Sequence, residues 1–159
     1  MRAVVQRVRS AEVSVDGKVV GRCGHGLLVL VAAHSKDTRQ EAARMADKVW
    51  GLRVFGDEFG KMNLALKDLE PSSASAVLAI SNFTLYGETS KNRRPSFMEA
   101  ASFEQGRELF DAFVRELRAI GCQTETGVFG AYMQVKLVND GPVTVILDVL
   151  PGDADATNG

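Results

Sequence analysis

The sequence predicts a β-rich mixed α/β fold in three layers, in which two helices cover one sheet and a second sheet lies behind it, so that the sheets form a barrel-like pair. Seven or eight short segments show the alternation or the continuous aliphatic runs of strands, and only two longer segments have helical periodicity. The 159 residues, 45% of them hydrophobic and 25% charged, suit one domain, which we assign to residues 1–150.

The first third of the chain predicts three strands. Apolar residues recur at alternate positions from residue 4 to residue 15, and Asp16-Gly17 then fits a two-residue hairpin turn, because glycine tolerates the positive φ of such turns. Residues 18–23 form the return strand. Residues 27–33 are an uninterrupted aliphatic run, which is typical of a central strand buried on both faces.

Each helix is preceded by a capping sequence. Thr38 and Glu41 form a capping box, and apolar residues at helical spacing follow until Gly51. The segment 102–105, Ser-Phe-Glu-Gln, repeats this capping pattern and opens a second helix that we expect to end at Gly121. The apolar stripes of both helices indicate that they pack against the sheet.

Further strands complete the prediction. They span residues 52–55, 76–85, 122–126, 131–138 and 143–150. Asn139-Asp-Gly-Pro142 is expected to be the tight turn that joins the last two, and its X-Pro bond can be cis. The tail, residues 151–159, is small, polar and acidic, so we expect it to be disordered.

Composition excludes several function classes. A net charge of −1 argues against a broad nucleic-acid or membrane binder, although it leaves room for one local basic patch. The longest apolar run, residues 26–33, is far shorter than the about 20 residues of a spanning helix. We see no signal peptide and expect a cytoplasmic protein. With only Cys23, Cys122, His25 and His34, no zinc site or nucleophile–base pair can be assembled, so we expect no metal or cofactor.

Three segments carry polar groups that can support chemistry. Residues 81–87 place hydroxyls, an amide and backbone N–H groups where a predicted strand ends, and such groups bind a polar substrate or an oxyanion unless they only satisfy their own backbone. Lys91, Arg93 and Arg94 make a cationic loop that either holds phosphates or is simply solvated. Residues 139–144 are, taken alone, an ordinary hairpin connection.

Six motifs in chain order resemble the D-aminoacyl-tRNA deacylase family, over residues 3 to about 148. They are Gly26-Leu-Leu-Val-Leu30, Gly60-Lys-Met-Asn63, Ser81-Asn-Phe-Thr-Leu85, Arg93-Arg-Pro-Ser-Phe97, Met133-Gln-Val135 and Asn139-Asp-Gly-Pro-Val-Thr144. The resemblance implies an enzyme that hydrolyses the ester of D-aminoacyl-tRNA, and of mischarged glycyl-tRNA, to free tRNA and amino acid. It also implies a homodimer in which a cis Gly141-Pro142 peptide enters the partner's pocket and its carbonyls capture the substrate's α-ammonium group.

The resemblance also implies roles for single residues. Ser81 would orient the ribose or a water molecule, and backbone N–H groups near Asn82 and Phe83 would form the oxyanion site. Thr84 has the look of a nucleophile but no recognisable base, so the family instead implies assistance by the 2′-hydroxyl of the terminal ribose of tRNA. Substrate binding is implied for Gly141, Pro142, Met133 and Arg7, the last of which would hold the Gly-Pro loop in place. Contacts with tRNA are expected from Lys91, Arg93 and Arg94.

Stereochemical selection would follow if rigid backbone fixed the ammonium and carbonyl groups of the substrate. A D-residue then sends its side chain to solvent, an L-residue meets backbone, and glycine passes. Three features depart from the family pattern. Asn82 replaces a Gln, which puts a ribose contact by the longer amide in doubt, and Asn92 replaces a frequent Gly. The stretch 34–38 is less acidic than the family pattern, and we attach no function to it. Two alternatives stay open, a non-catalytic tRNA- or DNA-binding module of the same fold and a metal-dependent hydrolase.

Overall fold

A computed structural model describes residues 1–69 and 76–152. The tail was expected to be disordered, and its residues from 153 onward lie outside the described residues. The strands of the described part are Arg2–Val15 (β1), Lys18–Cys23 (β2), Gly26–Ala32 (β3), Phe55–Gly56 (β4), Met62–Leu64 (β5), Val77–Ser81 (β6), Thr124–Thr126 (β7) and Gln134–Asp148 (β8). The helices are Arg39–Trp50 (α1) and Phe103–Ala119 (α2), and Leu66–Asp68 and Phe83–Tyr86 form short 3₁₀ turns.

One curled sheet makes both of the predicted sheet layers. Its order is β2-β1-β3-β6-β7, and β8 pairs with the other edge of β1 along nearly its whole length. The first half of β1 pairs with β3 and the second half with β2, so the sheet bends between the two halves. The bend brings the two end strands of the sheet, β2 and β7, together. The Arg22 N–H of β2 donates to the Glu125 carboxylate of β7 at 2.7 Å. The predicted fold class is confirmed, with two helices on a nearly closed, barrel-like sheet.

The central strand β3 is buried on both faces, as its aliphatic run predicts. Leu27 and Val29 pack into a core shared with both helices, including Phe113 of α2. Leu28 points the other way and packs with Leu78 of β6 inside the curled sheet. Alternate side chains of a strand point to opposite faces, so one strand anchors both cores.

The capping prediction is confirmed at α1 and only half correct at α2. The Thr38 N–H donates to the Glu41 carboxylate at 2.7 Å, and the Thr38 hydroxyl oxygen accepts from the backbone of the first turn. At α2 the Ser102 hydroxyl oxygen accepts from the Gln105 N–H at 3.3 Å, but the Gln105 side chain does not return to the cap. It donates instead to the Asp37 carbonyl at 3.2 Å, because the loop before α1 lies within its reach.

Several predicted strands are longer than the observed ones, and the differences are largest at 76–85 and 52–55. The strand predicted at 76–85 stops at Ser81, and residues 83–86 form a 3₁₀ turn instead. The reason is the partner strand: the Asn82 N–H still donates to Val31, but β3 ends one residue later and offers nothing further to pair with. The prediction at 52–55 is also wrong over most of its length, because only the short hairpin of β4 and β5 pairs there.

The predicted hairpin at residues 139–142 is a bulge within a single strand. β8 does not reverse direction; Asn139 pairs with Val8 and Thr144 pairs with Gln6, so residues 140–143 stand opposite Arg7 alone. Asp-Gly-Pro is compatible with a turn and with a bulge, and the choice depends on the partner strand. Because β1 is long enough to pair with both halves of β8, residues 134–148 form one strand and not a hairpin.

Candidate active site

A cavity of about 840 Å³ opens where β6 ends, and it brings together five of the eleven residues that the sequence nominates. Its wall includes the strand-end motif, Ser81, Asn82, Phe83 and Thr84, and also Met133. Apolar lining residues come from α2 and from the segment before β8. The pocket thus combines hydroxyl, amide and backbone groups with a predominantly hydrophobic lining, the usual composition of a small-molecule site.

The polar side of the pocket has a defined internal contact. The Thr84 hydroxyl donates to the Asn82 amide oxygen at 2.6 Å. Among the described residues that line the pocket there is no histidine, carboxylate or cysteine. A threonine hydroxyl needs a neighbouring base to become a nucleophile, so this pocket favours chemistry by positioning and hydrogen bonding over covalent attack.

The backbone N–H groups at the strand end are not equivalent. The Asn82 N–H donates to the Val31 carbonyl at 2.9 Å and is therefore occupied. Within the described ranges, the N–H groups of Phe83 and Thr84 have no acceptor, because they open a 3₁₀ turn whose internal bonds begin at Leu85. Two residues that line the pocket thus carry unpaired backbone donors.

Arg7 is held against the β8 bulge and does not line the pocket. Its Nε donates to the Asp140 carbonyl at 3.0 Å, and its Nη1 donates to the Val54 carbonyl. Arg9 adds a second contact, from Nε to the Asp140 carboxylate at 3.0 Å, but the Arg9 side chain is 70% exposed against 16% for Arg7. The buried guanidinium of Arg7 therefore joins the bulge to the loop before β4.

The bulge is also closed by its own side chains. The Asn139 amide accepts from the Val143 N–H at 2.8 Å and donates to the Val143 carbonyl at 3.3 Å. Gly141 has φ +145, and the Gly141–Pro142 peptide bond is cis. Both residues are exposed, and neither lines the pocket of its own chain. Within one chain, the strand-end motif and the Gly-Pro bulge are separate features.

The predicted cationic loop is exposed and packs beside the site. Lys91, Arg93 and Arg94 make no ion pair with any described residue, so their charges are available. The loop is tied to the strand end by an edge-to-face contact between Phe97 and Phe83, whose ring centroids are 5.2 Å apart. This contact joins the end of the loop to Phe83, which lines the pocket.

Sequence patterns missed two parts of the site. Phe110 and Phe129 form the apolar wall, and helical periodicity marks the first only as a core residue. Arg2 supports the 3₁₀ turn, because its guanidinium donates to the Leu85 carbonyl at 3.4 Å while Nε donates to Asp148 at 2.8 Å. An arginine at the start of a strand does not predict that it supports a distant turn. Arg2 has this role because the pairing of β1 with β8 places it beside Asp148.

Other groups capable of chemistry lie outside the pocket. His34 Nδ1 accepts from the Lys36 N–H at 3.0 Å, and His25 packs edge-to-face on Phe55. Cys23 is buried, and burial raises the pKa of its thiol to about 11, so it remains protonated near neutral pH. Over residues 1–69 and 76–152, no cluster of three or more metal-ligating side chains is present. In the same ranges no helix has the length and apolar character needed to span a membrane.

Comparison with known proteins agrees with this architecture. Curated relatives described as D-aminoacyl-tRNA deacylase include one from Geobacter sulfurreducens, 51% identical over 93% of this chain and 95% of its own, and one from Thermotoga petrophila, 52% identical over 93% and 97%. A solved structure described as c-Myc DNA Unwinding Element Binding Protein has a TM-score of 0.87 and 38% identity, covering 94% of this chain and 99% of its own. A structure of a probable eukaryotic D-amino acid tRNA deacylase, with TM-score 0.78, 17% identity and coverage of 93% and 98%, shares the fold.

The fold and pocket define a mixed α/β domain whose described pocket residues offer backbone donors and include no histidine, carboxylate or cysteine. The family model for D-Tyr-tRNA(Tyr) deacylase matches residues 4–148. The chain therefore belongs to the D-Tyr-tRNA(Tyr) deacylase family.

Proposed function

We propose that this protein hydrolyses the ester between a D-amino acid, or glycine, and the terminal ribose of tRNA, and that it rejects L-aminoacyl esters. The observation that carries the proposal is the pocket at the end of β6, where Phe83 and Thr84 have unpaired N–H groups and where no histidine, carboxylate or cysteine lies among the described lining residues. Family membership supports D-aminoacyl-tRNA deacylation as the class of reaction. The geometry of the site supports the remaining detail.

The proposed chemistry uses positioned donors. The N–H groups of Phe83 and Thr84 hold the ester carbonyl oxygen and stabilise the negative charge that develops on it. Water adds to the carbonyl carbon, and the ribose 3′-oxygen leaves with a proton, which yields free amino acid and free tRNA. The neighbouring 2′-hydroxyl assists the proton transfer, Ser81 orients the ribose or the water, and no metal is required. The sequence suggested the Asn82 N–H as an oxyanion donor. The proposal uses the Thr84 N–H instead, because the Asn82 N–H already donates to the Val31 carbonyl.

Two copies of the chain complete the site in this proposal. β8 pairs only with β1 among the described strands, and its exposed apolar side chains include Val138 at 56% and Ile146 at 65% exposure. Such a surface suits a homodimer interface. The exposed Gly141–Pro142 bulge lies in the same strand, so a partner can insert it into the pocket, where its carbonyls accept from the substrate's α-ammonium group. Met133 contributes to the pocket wall that receives the substrate.

Chiral selection follows from fixing two groups of the substrate. If the partner's bulge holds the ammonium group and the Phe83 and Thr84 N–H groups hold the carbonyl, the α-carbon has only two remaining directions. One leads to solvent and accepts a D side chain; the other leads into backbone and excludes an L side chain. Glycine has no side chain and is hydrolysed as well.

The body of the tRNA is expected to contact the cationic loop. Lys91, Arg93 and Arg94 carry free charges on the loop whose end contacts Phe83 of the pocket, and they can pair with phosphates. Aminoacyl-tRNA is consumed in translation, so the proposed place of action is the cytoplasm.

A second candidate is a nucleic-acid-binding module without catalysis. The solved structure that is 38% identical to this chain is described as a DNA-binding protein, and this observation favours the second candidate. The net charge of −1 does not favour it, because affinity for nucleic acid rests largely on neutralising phosphates.

A matched deacylation assay tests the proposal. Purified protein receives D-Tyr-tRNA, L-Tyr-tRNA and Gly-tRNA in parallel, each with and without EDTA. We expect fast release from the D and glycyl esters and none from the L ester. Equal release of D and L would contradict the stereochemical argument, inhibition by EDTA would contradict metal independence, and no release at all would favour the binding module.

A further inference from the structure

A second cavity lies directly beside the pocket along α2. It has a volume of about 370 Å³, and it shares two wall residues with the pocket, Phe110 and Phe129. Three arginines of α2, Arg107, Arg115 and Arg118, line it. The cavity is therefore a basic groove that continues from the candidate active site, and we call it the α2 groove.

The arginines of the α2 groove lie on one face of the helix, because positions three, eight and eleven residues apart recur on the same side. Arg115 is exposed and makes no hydrogen bond or ion pair with a described residue. Arg107 lies over the rings of Phe103 and Phe129, at 5.5 and 5.3 Å from their centroids, which fixes its position without using its N–H groups. Arg118 donates to the Thr124 carbonyl at 2.9 Å and marks the far end.

The charge of the α2 groove is positive although the whole chain is not. Asp111 is the one acidic side chain among its described lining residues, against three arginines. Arg115 and Asp111 are one helical turn apart, yet no ion pair joins them among the described residues. A groove of this kind favours an anion with several charges in a row, and the planar guanidinium group can donate two parallel hydrogen bonds to two oxygens of a phosphate.

We propose that the α2 groove binds the phosphodiester backbone of the single-stranded 3′ end of tRNA. This inference rests on the proposed function, because it takes the terminal ribose to lie in the pocket. The nucleotides that precede this ribose are joined to it through phosphates, so their strand must leave across a surface that adjoins the pocket. The α2 groove adjoins it through the shared Phe110 and Phe129 walls and carries the complementary charge. The cationic loop of residues 91–94 then serves other phosphates of the tRNA.

The test measures binding of deacylated tRNA by fluorescence anisotropy over a range of KCl concentrations. Arg115→Gln removes one charge and keeps most of the side chain, and Arg115→Lys keeps the charge. Asp111→Asn removes the opposing charge. The matched control is Lys61→Gln, an exposed cation in the turn between β4 and β5, away from both cavities. A second readout is hydrolysis of D-aminoacyl-adenosine, which has the ester but no phosphate.

We expect Arg115→Gln to weaken tRNA binding about tenfold, as loss of a charge-assisted contact does. The slope of log affinity against log salt should shrink by about 0.7, the value for one single-strand phosphate. Arg115→Lys should retain the slope, Asp111→Asn should tighten binding, and hydrolysis of D-aminoacyl-adenosine should be unchanged in all four variants. If Arg115→Gln behaves like Lys61→Gln, or slows D-aminoacyl-adenosine and tRNA substrates equally, the inference is wrong. Absence of deacylation in the unaltered protein would instead contradict the proposed function, while the salt slopes still test the α2 groove.

Discussion

The Thr84 hydroxyl and the Asn82 amide oxygen are joined by a hydrogen bond of 2.6 Å, in which Thr84 is the donor. This contact commits the only proton of the hydroxyl to a neutral oxygen. An amide oxygen does not remove that proton at neutral pH, so Asn82 orients Thr84 and does not activate it. The pair therefore fixes the shape of the polar wall beside the Phe83 and Thr84 N–H groups.

Thr84→Val tests whether the hydroxyl is a nucleophile. A positioning role predicts a fall in single-turnover deacylation of about tenfold or less, because one neutral hydrogen bond contributes on the order of 1 kcal/mol. Thr84→Ser, which keeps the hydroxyl, is the matched control and should fall less. Complete loss of turnover in the valine variant with near-normal serine activity, or capture of an acyl-enzyme, would establish covalent catalysis instead.

Arg7→Ala tests whether the guanidinium holds the bulge. The side chain joins the Asp140 and Val54 carbonyls and is only 16% exposed, so its removal leaves partly buried acceptors unpaired. We expect kcat/KM for D-aminoacyl-tRNA to fall at least about tenfold, with the far-ultraviolet circular dichroism unchanged. Arg9→Ala is the control, since Arg9 contacts the Asp140 carboxylate from an exposed position, and it should cost little. Activity unaffected by Arg7→Ala would remove Arg7 from the site.

Gly141→Ala tests whether the bulge takes part in turnover. A Cβ at Gly141 would stand 2.7 Å from Val143 Cγ2 and 2.8 Å from the Val143 nitrogen, and φ +145 is a conformation that alanine rarely adopts. The bulge must shift, and misplacement of this size near a substrate lowers rates by about a hundredfold. The measurement is deacylation of D-Tyr-tRNA, with thermal melting to show that the variant folds. Unchanged turnover in a folded variant would place the site elsewhere.

Sequence patterns predicted correctly those features that depend only on residues close together in the chain. The capping box at Thr38 and the two-sided burial of β3 follow from neighbouring residues, and both are present. The bulge at Asn139 and the end of β6 at Ser81 were mispredicted, because each depends on how far a partner strand runs. Turn chemistry and strand propensity say nothing about that length.

The candidate site shows the same division. The strand-end motif at residues 81–84 is visible in the sequence, because polar groups there interrupt an aliphatic run. The wall built by Phe110 and Phe129 is not, since apolar periodicity places a side chain in the interior without saying whether a cavity adjoins it. The Asn82 N–H was a reasonable oxyanion donor on sequence alone, and only the register between β6 and β3 shows that it is occupied.

Acid stability should depend on the capping box of α1. Burial of the Glu41 carboxyl group tends to raise its pKa, but hydrogen bonds from the Thr38 N–H and hydroxyl, each 2.7 Å long, outweigh this and lower the pKa below its ordinary value of 4.5. A carboxyl group whose pKa is lower in the folded state adds stability that is fully present above the unfolded pKa and is lost as pH falls through the folded pKa.

Glu41→Gln should therefore lower the free energy of unfolding near neutral pH, by about 1 kcal/mol as for other helix caps. The loss should shrink as the pH falls below 4.5, where the native carboxyl group also becomes protonated. Urea denaturation of both proteins over a series of acidic pH values measures this. Glu58→Gln, at an exposed turn, is the control and should show no such convergence. A difference between Glu41→Gln and the unaltered protein that stays constant down to the acid limit would mean that Glu41 stabilises α1 through packing and not through its charge.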